Sequence, residues 1–315
     1  METEPLRIQV ASDLHLEFHA DRATDDVDDF LLDRLVAPTR ATVLALVGDI
    51  GAPDKPAYAR LLSRAASRYR HVVIVPGNHE YYDASGREER RCVADTAVLL
   101  RTLCAAHDNV HLLDDDAVVL EGVRFVGSTL WSHIREPFRR ECTSEMNDYR
   151  LIHTQSDGTR LTVDDTNAWH AAAVAFIEQE TSRAAAEGLP MVVLTHHAPS
   201  LRSIDKKHAC SRVNCAFATN VERLMRPPIV LWCHGHTHTA FDYVVPFPSS
   251  HDGRDQDQKG VRVVNNPSGY PGERDTRYRN DLVIDLPQTM LKDAAARVSA
   301  FDGFACDEDA AVDAL

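Results

Sequence analysis

Short apolar runs that end abruptly in polar residues recur along the chain. Most of these runs are continuous rather than alternating, which is typical of strands buried on both faces of a sheet. Each run is followed within three residues by Asp, Asn or His. The pattern predicts strands at Leu6–Ala11, Thr42–Val47, His71–Val75, Met191–Thr195 and Ile229–Trp232.

Segments of helical composition lie between these strands. The clearest one is preceded by Thr162, a residue type that caps helix N-termini, and ends at Gly188, a residue type that terminates helices. Because strands and helices alternate along the chain, the sequence predicts the α/β class. The predicted helices are Asp54–Tyr69, Glu88–Ala106 and Asp164–Glu187.

The remaining segments indicate how the chain is organised. Two less regular regions are predicted to be loops over the sheet ends, and a polar, turn-rich segment is predicted to be a surface loop between two strands. No linker divides the chain, so we expect one domain over residues 1–287, ending in a strand at Asp281–Leu286, and a short helix with an acidic tail over residues 288–315. The three loop regions are Trp131–Gly158, Leu201–Cys215 and Phe247–Gly260.

Composition narrows the class of protein. The 315 residues carry a formal net charge of -14, which disfavours a surface that coats nucleic acid, although bound metal ions can reverse the sign locally. The N-terminus has no signal-peptide pattern, and no apolar run is long enough to span a membrane. Seven cysteines without a CxxC pair favour a reduced, cytoplasmic protein. Cys210 and Cys215 are close enough in sequence to pair or share a metal, but two exposed loop thiols are the simpler interpretation.

Residue types that can bind metal ions follow all five predicted strands. In α/β sheets, ligands collect at the carboxyl ends of strands, so we expect these side chains to meet in one crevice. Imidazole together with carboxylate and amide oxygen suits Mn, Fe, Zn or similar ions. The candidate residues are Asp13, His15, Asp49, Asn78, His79, His196, His236 and His238.

The hexapeptide CHGHTH, at residues 233–238, is the densest of these groups. Its histidines alternate, and alternate residues of an extended segment point the same way. The competing interpretation is a polar strand end in which histidines happen to repeat. Two ions bridged by one carboxylate, about 3.5–4 Å apart, are a common arrangement for hydrolysis at phosphorus.

The succession DLH, GDI, GNHE, THH and GHTH resembles, in order, the calcineurin-like metallophosphoesterase superfamily. The stretch NNPSGYPGE at residues 265–273 resembles a bacterial branch of small phosphoesterases in that superfamily. The resemblance implies a four-layer α/β/β/α sandwich of two mixed β-sheets, with two metal ions at the carboxyl ends of the strands.

The resemblance also implies a role for each candidate residue. A hydroxide bridging the two ions would attack phosphorus in line, and His79 would stabilise the transition state and protonate the leaving oxygen without binding metal. His234 would pack or support the site from behind. Of the adjacent His196 and His197 only one can occupy the ligand position, which the family pattern assigns to His196, and His197 could contact substrate instead. The first ion would be held by Asp13, His15 and His238, the second by Asn78, His196 and His236, and Asp49 would bridge both.

The sequence departs from the Ser/Thr protein phosphatases of that superfamily. Those carry GDxVDRG and RGNHE, whereas the matching stretches here are GDIGAPD and PGNHE. The acid that would orient His79 is absent where Ala52 stands, with Asp54 two residues late, and Pro76 replaces the arginine that would grip the phosphate. Protein phosphatase activity is therefore disfavoured.

These observations predict a dinuclear metal-dependent phosphoesterase that hydrolyses small phosphomonoesters or phosphodiesters. The favoured ion is Mn²⁺, with Fe, Zn and Ni as alternatives. Neither a nucleic-acid partner nor a membrane is expected, and the oligomeric state is left open. The alternatives are a nuclease acting on DNA or RNA and a non-catalytic metal-binding regulatory protein.

Overall fold

Two β-sheets pack face to face in the computed structural model, which describes residues 4–19, 26–83, 90–247 and 260–296. The strands are β1 (Leu6–Ala11), β2 (Val43–Val47), β3 (His71–Val75), β4 (Val110–Leu112), β5 (Asp116–Leu120), β6 (Val123–Ser128), β7 (Met191–Thr195), β8 (Ile229–His234), β9 (Phe241–Pro246), β10 (Gly260–Asn265) and β11 (Val283–Leu286). The helices are α1 (Leu16–His19), α2 (Asp29–Leu35), α3 (Pro56–Ala66), α4 (Val93–Ala105), α5 (Arg139–Glu145), α6 (Asp148–Leu151), α7 (Val163–Glu187) and α8 (Gln288–Ala296).

Both sheets are mixed. The first has the order β11-β1-β2-β3-β4, and only β11 runs antiparallel to its neighbour. The second has the order β5-β6-β7-β8-β10-β9, in which the edge strands β5 and β9 are antiparallel to the parallel centre. Val10 lies opposite Ala45, and Ala45 lies opposite Val73, so the carboxyl ends of β1, β2 and β3 reach the same edge.

The sheets and helices form four layers. One apolar cluster, which includes Val10 and Val73 of the first sheet and Val192 of the second, fills the space between the sheets. Helices α3 and α4 cover the outer face of the first sheet, and α7 covers the outer face of the second. The α/β class and the four-layer α/β/β/α sandwich with two mixed sheets are confirmed, and β2 and β7 are buried throughout because helices and sheets enclose them.

Local signals set the bounds of the longest helix. Asp165 N donates to the side chain of Thr162 and Thr162 N donates to Asp165, while Gly188 ends the helix with a φ of 65°. Strands β4 to β6 were not predicted, because β4 has three residues, the edge strand β5 is partly exposed, and Arg124 interrupts the apolar run of the buried β6. Strand β8 runs two residues further than predicted and includes His234.

The predicted loops over the sheet ends contain short helices. Helices α5 and α6 and four short 3-10 helices lie in residues 136–151 and 201–217, which we call the roof. Met146, Tyr149 and Ala216 of the roof pack together with the preceding Trp131 in a separate apolar cluster. The predicted surface loop and the acidic tail fall mainly on residues 248–259 and 297–315, outside the described residues.

The C-terminal helix α8 packs on the main fold. Leu291 and Ala294 are buried in the cluster between the sheets, and the predicted boundary after residue 287 stays a prediction. Within the described residues, no helix is both long and apolar enough to cross a membrane.

Candidate metal centre

The loops that follow β1, β2, β3, β7 and β8 bring all eight candidate residues to one edge of the sandwich, which we call the carboxyl edge. Three groups of potential ligand atoms form there, each with its atoms within 4.8 Å of one another. The groups share members, so they are parts of one cluster. They are Asp13 with His15 and His238, His15 with Asp49 and His79, and Asp49 with His196 and His236.

The backbone of this edge adopts an uncommon conformation. Positive φ angles occur at Asp13 (53°), His15 (48°), Asp49 (54°), His236 (69°) and His238 (46°). A residue other than Gly held in a sparsely populated region costs about 1–3 kcal/mol and persists only where its surroundings enforce it. Here Asp13 N donates to Gly48 O at 2.9 Å, and His15 N donates to Asp49 O at 3.0 Å. The loops after β1 and β2 therefore hold each other in place.

Two glycines allow the side chains to approach so closely. A Cβ at Gly48, whose φ is +81°, would lie 2.2 Å from His196 Nδ1. A Cβ at Gly77 would lie 2.2 Å from Asp49 Oδ1. The glycines of the GD and GN dipeptides are thus required by the packing of neighbouring candidate ligands.

In the first group, the carboxylate of Asp13 and two imidazoles face one another. His238 Nε2 lies 3.4 Å from Asp13 Oδ1 and 3.2 Å from His15 Nε2. His238 Nδ1 lies 2.8 Å from Glu273 Oε2, an arrangement that keeps a proton on Nδ1 and directs Nε2 toward the group. The carboxylates raise the pKa of His238 to about 10 although burial opposes its charge.

The third group, which Asn78 joins, contains a buried nitrogen without a hydrogen-bond partner among the described residues. His196 Nε2 lies 3.0 Å from Asn78 Oδ1 and 3.2 Å from Asp49 Oδ1. His236 Nε2 is buried and has no hydrogen-bond partner among the described residues. A buried polar atom without a partner is costly, and a metal ion would satisfy it. The donor set, with imidazole, carboxylate and amide oxygen, fits such an ion.

Asp49 belongs to the third group, and it also faces His15 of the first. Its Oδ1 is 3.2 Å from His196 Nε2, and its Oδ2 is 3.9 Å from His15 Nε2. Burial opposes its ionised form, but the imidazoles of His196 and His79 hold its pKa well below the usual value. In turn, Asp49 raises the pKa of His196 to about 9 against the effect of burial. The centre is therefore arranged to hold positive charge beside buried carboxylates.

His79 occupies a different position from the other histidines. It opens a 3-10 helix, and its Nε2 lies 3.0 Å from the hydroxyl of Tyr270. Its Nδ1 lies 2.9 Å from Glu17 Oε1. Burial would lower the pKa of His79, but Asp49 and Glu17 outweigh burial and raise it. A protonated imidazole at this place is suited to donate a proton.

Glu17 places a carboxylate beside His79, although no acid stands at Ala52. It lies on α1, 62 residues from His79, and it also lies 3.4 Å from His15 Nδ1. Burial opposes its ionisation, yet the two histidines lower its pKa to about 2. Sequence reasoning missed Glu17, and the one available signal was its place two residues after His15.

Two more buried carboxylates, those of Glu80 and Asp148, hold parts of the centre in place through hydrogen bonds. Glu80 accepts backbone N–H groups of Asp49 (3.0 Å), Ile50 (2.8 Å) and Gly77 (2.7 Å), and so ties the loops after β2 and β3 together. Burial and the nearby charge of Asp49 raise the pKa of Glu80 to about 7, although these N–H groups oppose the rise. Asp148 accepts from Asn78 Nδ2 at 2.8 Å, which directs Asn78 Oδ1 toward His196.

His234 and His197, to which no ligand role is assigned, are buried behind the centre. His234 Nε2 lies 2.8 Å from the hydroxyl of Ser203, so it connects β8 to the roof. His197 Nδ1 lies 2.9 Å from Ser132 Oγ, and its ring stacks on His236 at 4.1 Å. His197 is 1% exposed, which places it in the packing rather than in contact with solvent.

A cavity of about 400 Å³ lies between the carboxyl edge and the roof. Among its lining residues in the described part of the chain, none is Lys or Arg, and the roof contributes carboxylates. Its lining includes Asp49, His79, Tyr82, Glu145, Met146, Asp205, His208, Asn214, Phe217, His236, His238 and Tyr270. A small molecule in this cavity would contact the centre on one side and the roof on the other.

Comparisons with known proteins agree with this arrangement. A model of the family described as calcineurin-like phosphoesterase matches residues 6–240. An uncharacterised protein of Acanthamoeba polyphaga mimivirus is 29% identical over 297 residues, which cover 90% of this chain and 98% of the relative.

Comparison with solved structures found two hydrolases, at different levels of similarity. The phosphopantetheinyl hydrolase of Mycobacterium tuberculosis has a TM-score of 0.56 at 19% identity, covering 91% of this chain and 97% of that one. A dimetal phosphatase from Danio rerio has a TM-score of 0.46 at 11% identity, covering 85% and 88%. The mycobacterial structure supports the fold alone at this level of identity.

Proposed function

We propose that this chain, which belongs to the calcineurin-like phosphoesterase family, hydrolyses small phosphomonoesters or phosphodiesters with two bound metal ions. The observation that carries the proposal is the place of Asp49, whose two oxygens face different groups of candidate ligands. A carboxylate between two cation sites reduces the repulsion between the cations.

The proposed ligands are those that the motifs implied. When bound, two divalent ions would activate water and stabilise negative charge at phosphorus. Mn²⁺ is the proposed ion, and Fe, Zn and Ni are the alternatives. The first site would use Asp13, His15 and His238, the second Asn78, His196 and His236, and Asp49 would serve both.

His79 would act on the leaving group. Glu17 holds Nδ1 of its ring, so Nε2 is the atom that faces the cavity and Tyr270. In this geometry Nε2 would deliver a proton to the departing oxygen. Tyr270 would orient that nitrogen and make contact with the leaving group.

The cavity favours a small substrate with few negative charges beyond the phosphate. Its walls include Glu145 and Asp205, with no Lys or Arg among the described lining residues. The net charge of -14 adds a repulsive field for a polyanion. Both observations weigh against the alternative of a nuclease. We propose a cytoplasmic location, because the six cysteines within the described residues are free thiols.

The test is activity after reconstitution with Mn²⁺. The protein is assayed against phosphomonoesters, nitrophenyl phosphodiesters, cyclic nucleotides, a phosphopantetheinyl ester and single-stranded DNA. Turnover of small esters that is lost in Asp49→Asn would support the proposal. Two bound ions without turnover of any ester would support the metal-binding regulator, and salt-sensitive binding and cleavage of DNA would support the nuclease.

A further inference from the structure

Two thiols from distant parts of the chain face each other in the roof. The Sγ atoms of Cys142 and Cys215 are 3.7 Å apart, although 73 residues separate them in sequence. Cys142 is buried on α5, and Cys215 is half-buried in the 3-10 helix at Asn214–Ala216. Cys210, which is close to Cys215 in sequence, is exposed as the loop interpretation expected, whereas Cys215 is only partly exposed.

Other contacts between the same segments hold these thiols near each other. Arg212 donates to Glu141 Oε1 from Nε at 3.0 Å and from Nη2 at 2.7 Å. The guanidinium of Arg212 also lies 5.3 Å from the centre of the Phe138 ring. Residues next to each cysteine thus join the two segments independently of the sulfur atoms.

The thiol pair joins two walls of the cavity. Met146 N donates to Cys142 O at 2.9 Å, and Met146 lines the cavity one helical turn after that cysteine. Asn214 and Phe217, on either side of Cys215, line it as well. A bond between the two sulfur atoms would therefore connect both parts of the roof.

We propose that Cys142 and Cys215 form a reversible disulfide on reaction with small-molecule disulfides, and that this bond restrains the roof over the cavity. The S–S bond length is about 2.05 Å, so the sulfur atoms, which now lie 3.7 Å apart, must approach by about 1.7 Å.

The chemistry requires two exchange steps. The Cys215 thiolate attacks a low-molecular-weight disulfide, forms a mixed disulfide and releases one thiolate. Cys142 then loses its proton to water, attacks Cys215 Sγ and releases the second thiolate, so the reagent is reduced to two thiols and the protein is oxidised by two electrons. The more exposed Cys215 attacks first, and the buried Cys142 resolves the mixed disulfide.

The surroundings favour Cys215 as the attacking thiol. A hydrogen bond from Cys142 and the charge of Arg135 lower the pKa of Cys215 to about 7. A larger fraction of Cys215 than of an ordinary thiol is therefore ionised at pH 7. Lower basicity also weakens the nucleophile, so the greater exposure of Cys215 compared with the buried Cys142 decides which thiol attacks first.

The test uses the full chain and oxidised glutathione at pH 7. Peptide mapping by mass spectrometry without reductant should find Cys142 linked to Cys215, with no glutathione retained on either. Cys142→Ser should trap one glutathione on Cys215, whereas Cys210→Ser, the matched control, should form the cross-link as the wild type does. Retention of glutathione on wild-type Cys215, or reaction of Cys210 with Cys142 left unmodified, would overturn the proposal.

Hydrogen exchange measures the restraint without reference to catalysis. In the oxidised protein, amides of residues 139–151 and 205–217 should exchange more slowly than in the reduced protein, and reductant should reverse the change. Equal exchange in both forms would show that the disulfide leaves the roof unrestrained. Because neither readout depends on phosphoesterase activity, the result stands apart from the test of the proposed function.

Discussion

The carboxyl edge and the roof face the same cavity but are built in different ways. At the edge, Asp13, His15 and Asp49 are at most 1% exposed, and left-handed backbone turns place them within one or two residues of a strand or of each other. In the roof, short helices and their connections carry exposed or half-buried groups such as Glu145 and Asp205. The edge is held by buried hydrogen bonds between loops, and the roof is joined partly by exposed ion pairs.

This difference suggests that the edge and the roof contribute differently to function. A rigid, buried centre suits chemistry, because groups that stabilise a transition state must be fixed in advance. Surface segments held by weaker contacts tolerate change and commonly determine what is bound. We therefore expect substitutions at the edge to act on turnover and substitutions in the roof to act on substrate preference.

Asp49→Asn should have the largest effect. The change removes a negative charge that both cation sites share, so metal content should fall and kcat should drop by about 10⁴-fold or more, since metal stabilisation is worth several kcal/mol. Metal analysis and steady-state kinetics after Mn²⁺ reconstitution measure both. Full metal content together with activity above a tenth of the wild type would refute the role of Asp49.

His79→Ala tests the proton donor separately from the metal sites. A positioned general acid contributes about 10²–10⁴-fold, so kcat should fall by that factor on a substrate with a poor leaving group. The loss should be smaller for a nitrophenyl ester, which needs little protonation, and metal content should stay unchanged. Loss of an ion, or equal losses on both substrates, would contradict the general-acid role.

Glu17→Gln should have a smaller effect than loss of His79 itself. Residues that orient a functional group through a hydrogen bond contribute about 10–100-fold to activity. In Glu17→Gln, kcat should therefore fall while KM changes little. Glu17→Ala, which keeps no hydrogen-bond acceptor, serves as the matched comparison and should be worse. Equal activity in the wild type and both variants would show that Glu17 does not orient His79.

Asp205→Asn should have the smallest effect and should act through binding. Asn keeps an acceptor for the backbone N–H of Lys207, which Asp205 now receives at 2.9 Å, so the local fold should persist. For an ester with a cationic leaving group, KM should rise about fivefold, since one half-exposed charge contributes about 1 kcal/mol. A kinetic comparison with a neutral ester of similar size supplies the control, and a fall in kcat on both would place Asp205 with the edge rather than the roof.

The sequence predicted the edge better than the roof. The candidate residues of the edge closely follow apolar strands, and strands such as β7 matched their predicted bounds because full burial makes them continuously apolar. The roof has no comparable apolar pattern, because α5 and α6 are only seven and four residues long and bury only part of their surface. Strand β5 was missed for the same reason, because an edge strand is exposed at some of its positions.

By itself, the sequence determined the α/β class, the main strands and the set of residues at their carboxyl ends, because those properties depend on neighbouring residues. Only the tertiary structure decided which distant groups meet: Glu17 with His79, Asp148 with Asn78, and Cys142 with Cys215, at separations of 62, 70 and 73 residues. Those contacts depend on how two sheets and a roof pack together. No linear spacing encodes that packing, since many arrangements of the connecting segments satisfy the same local pattern.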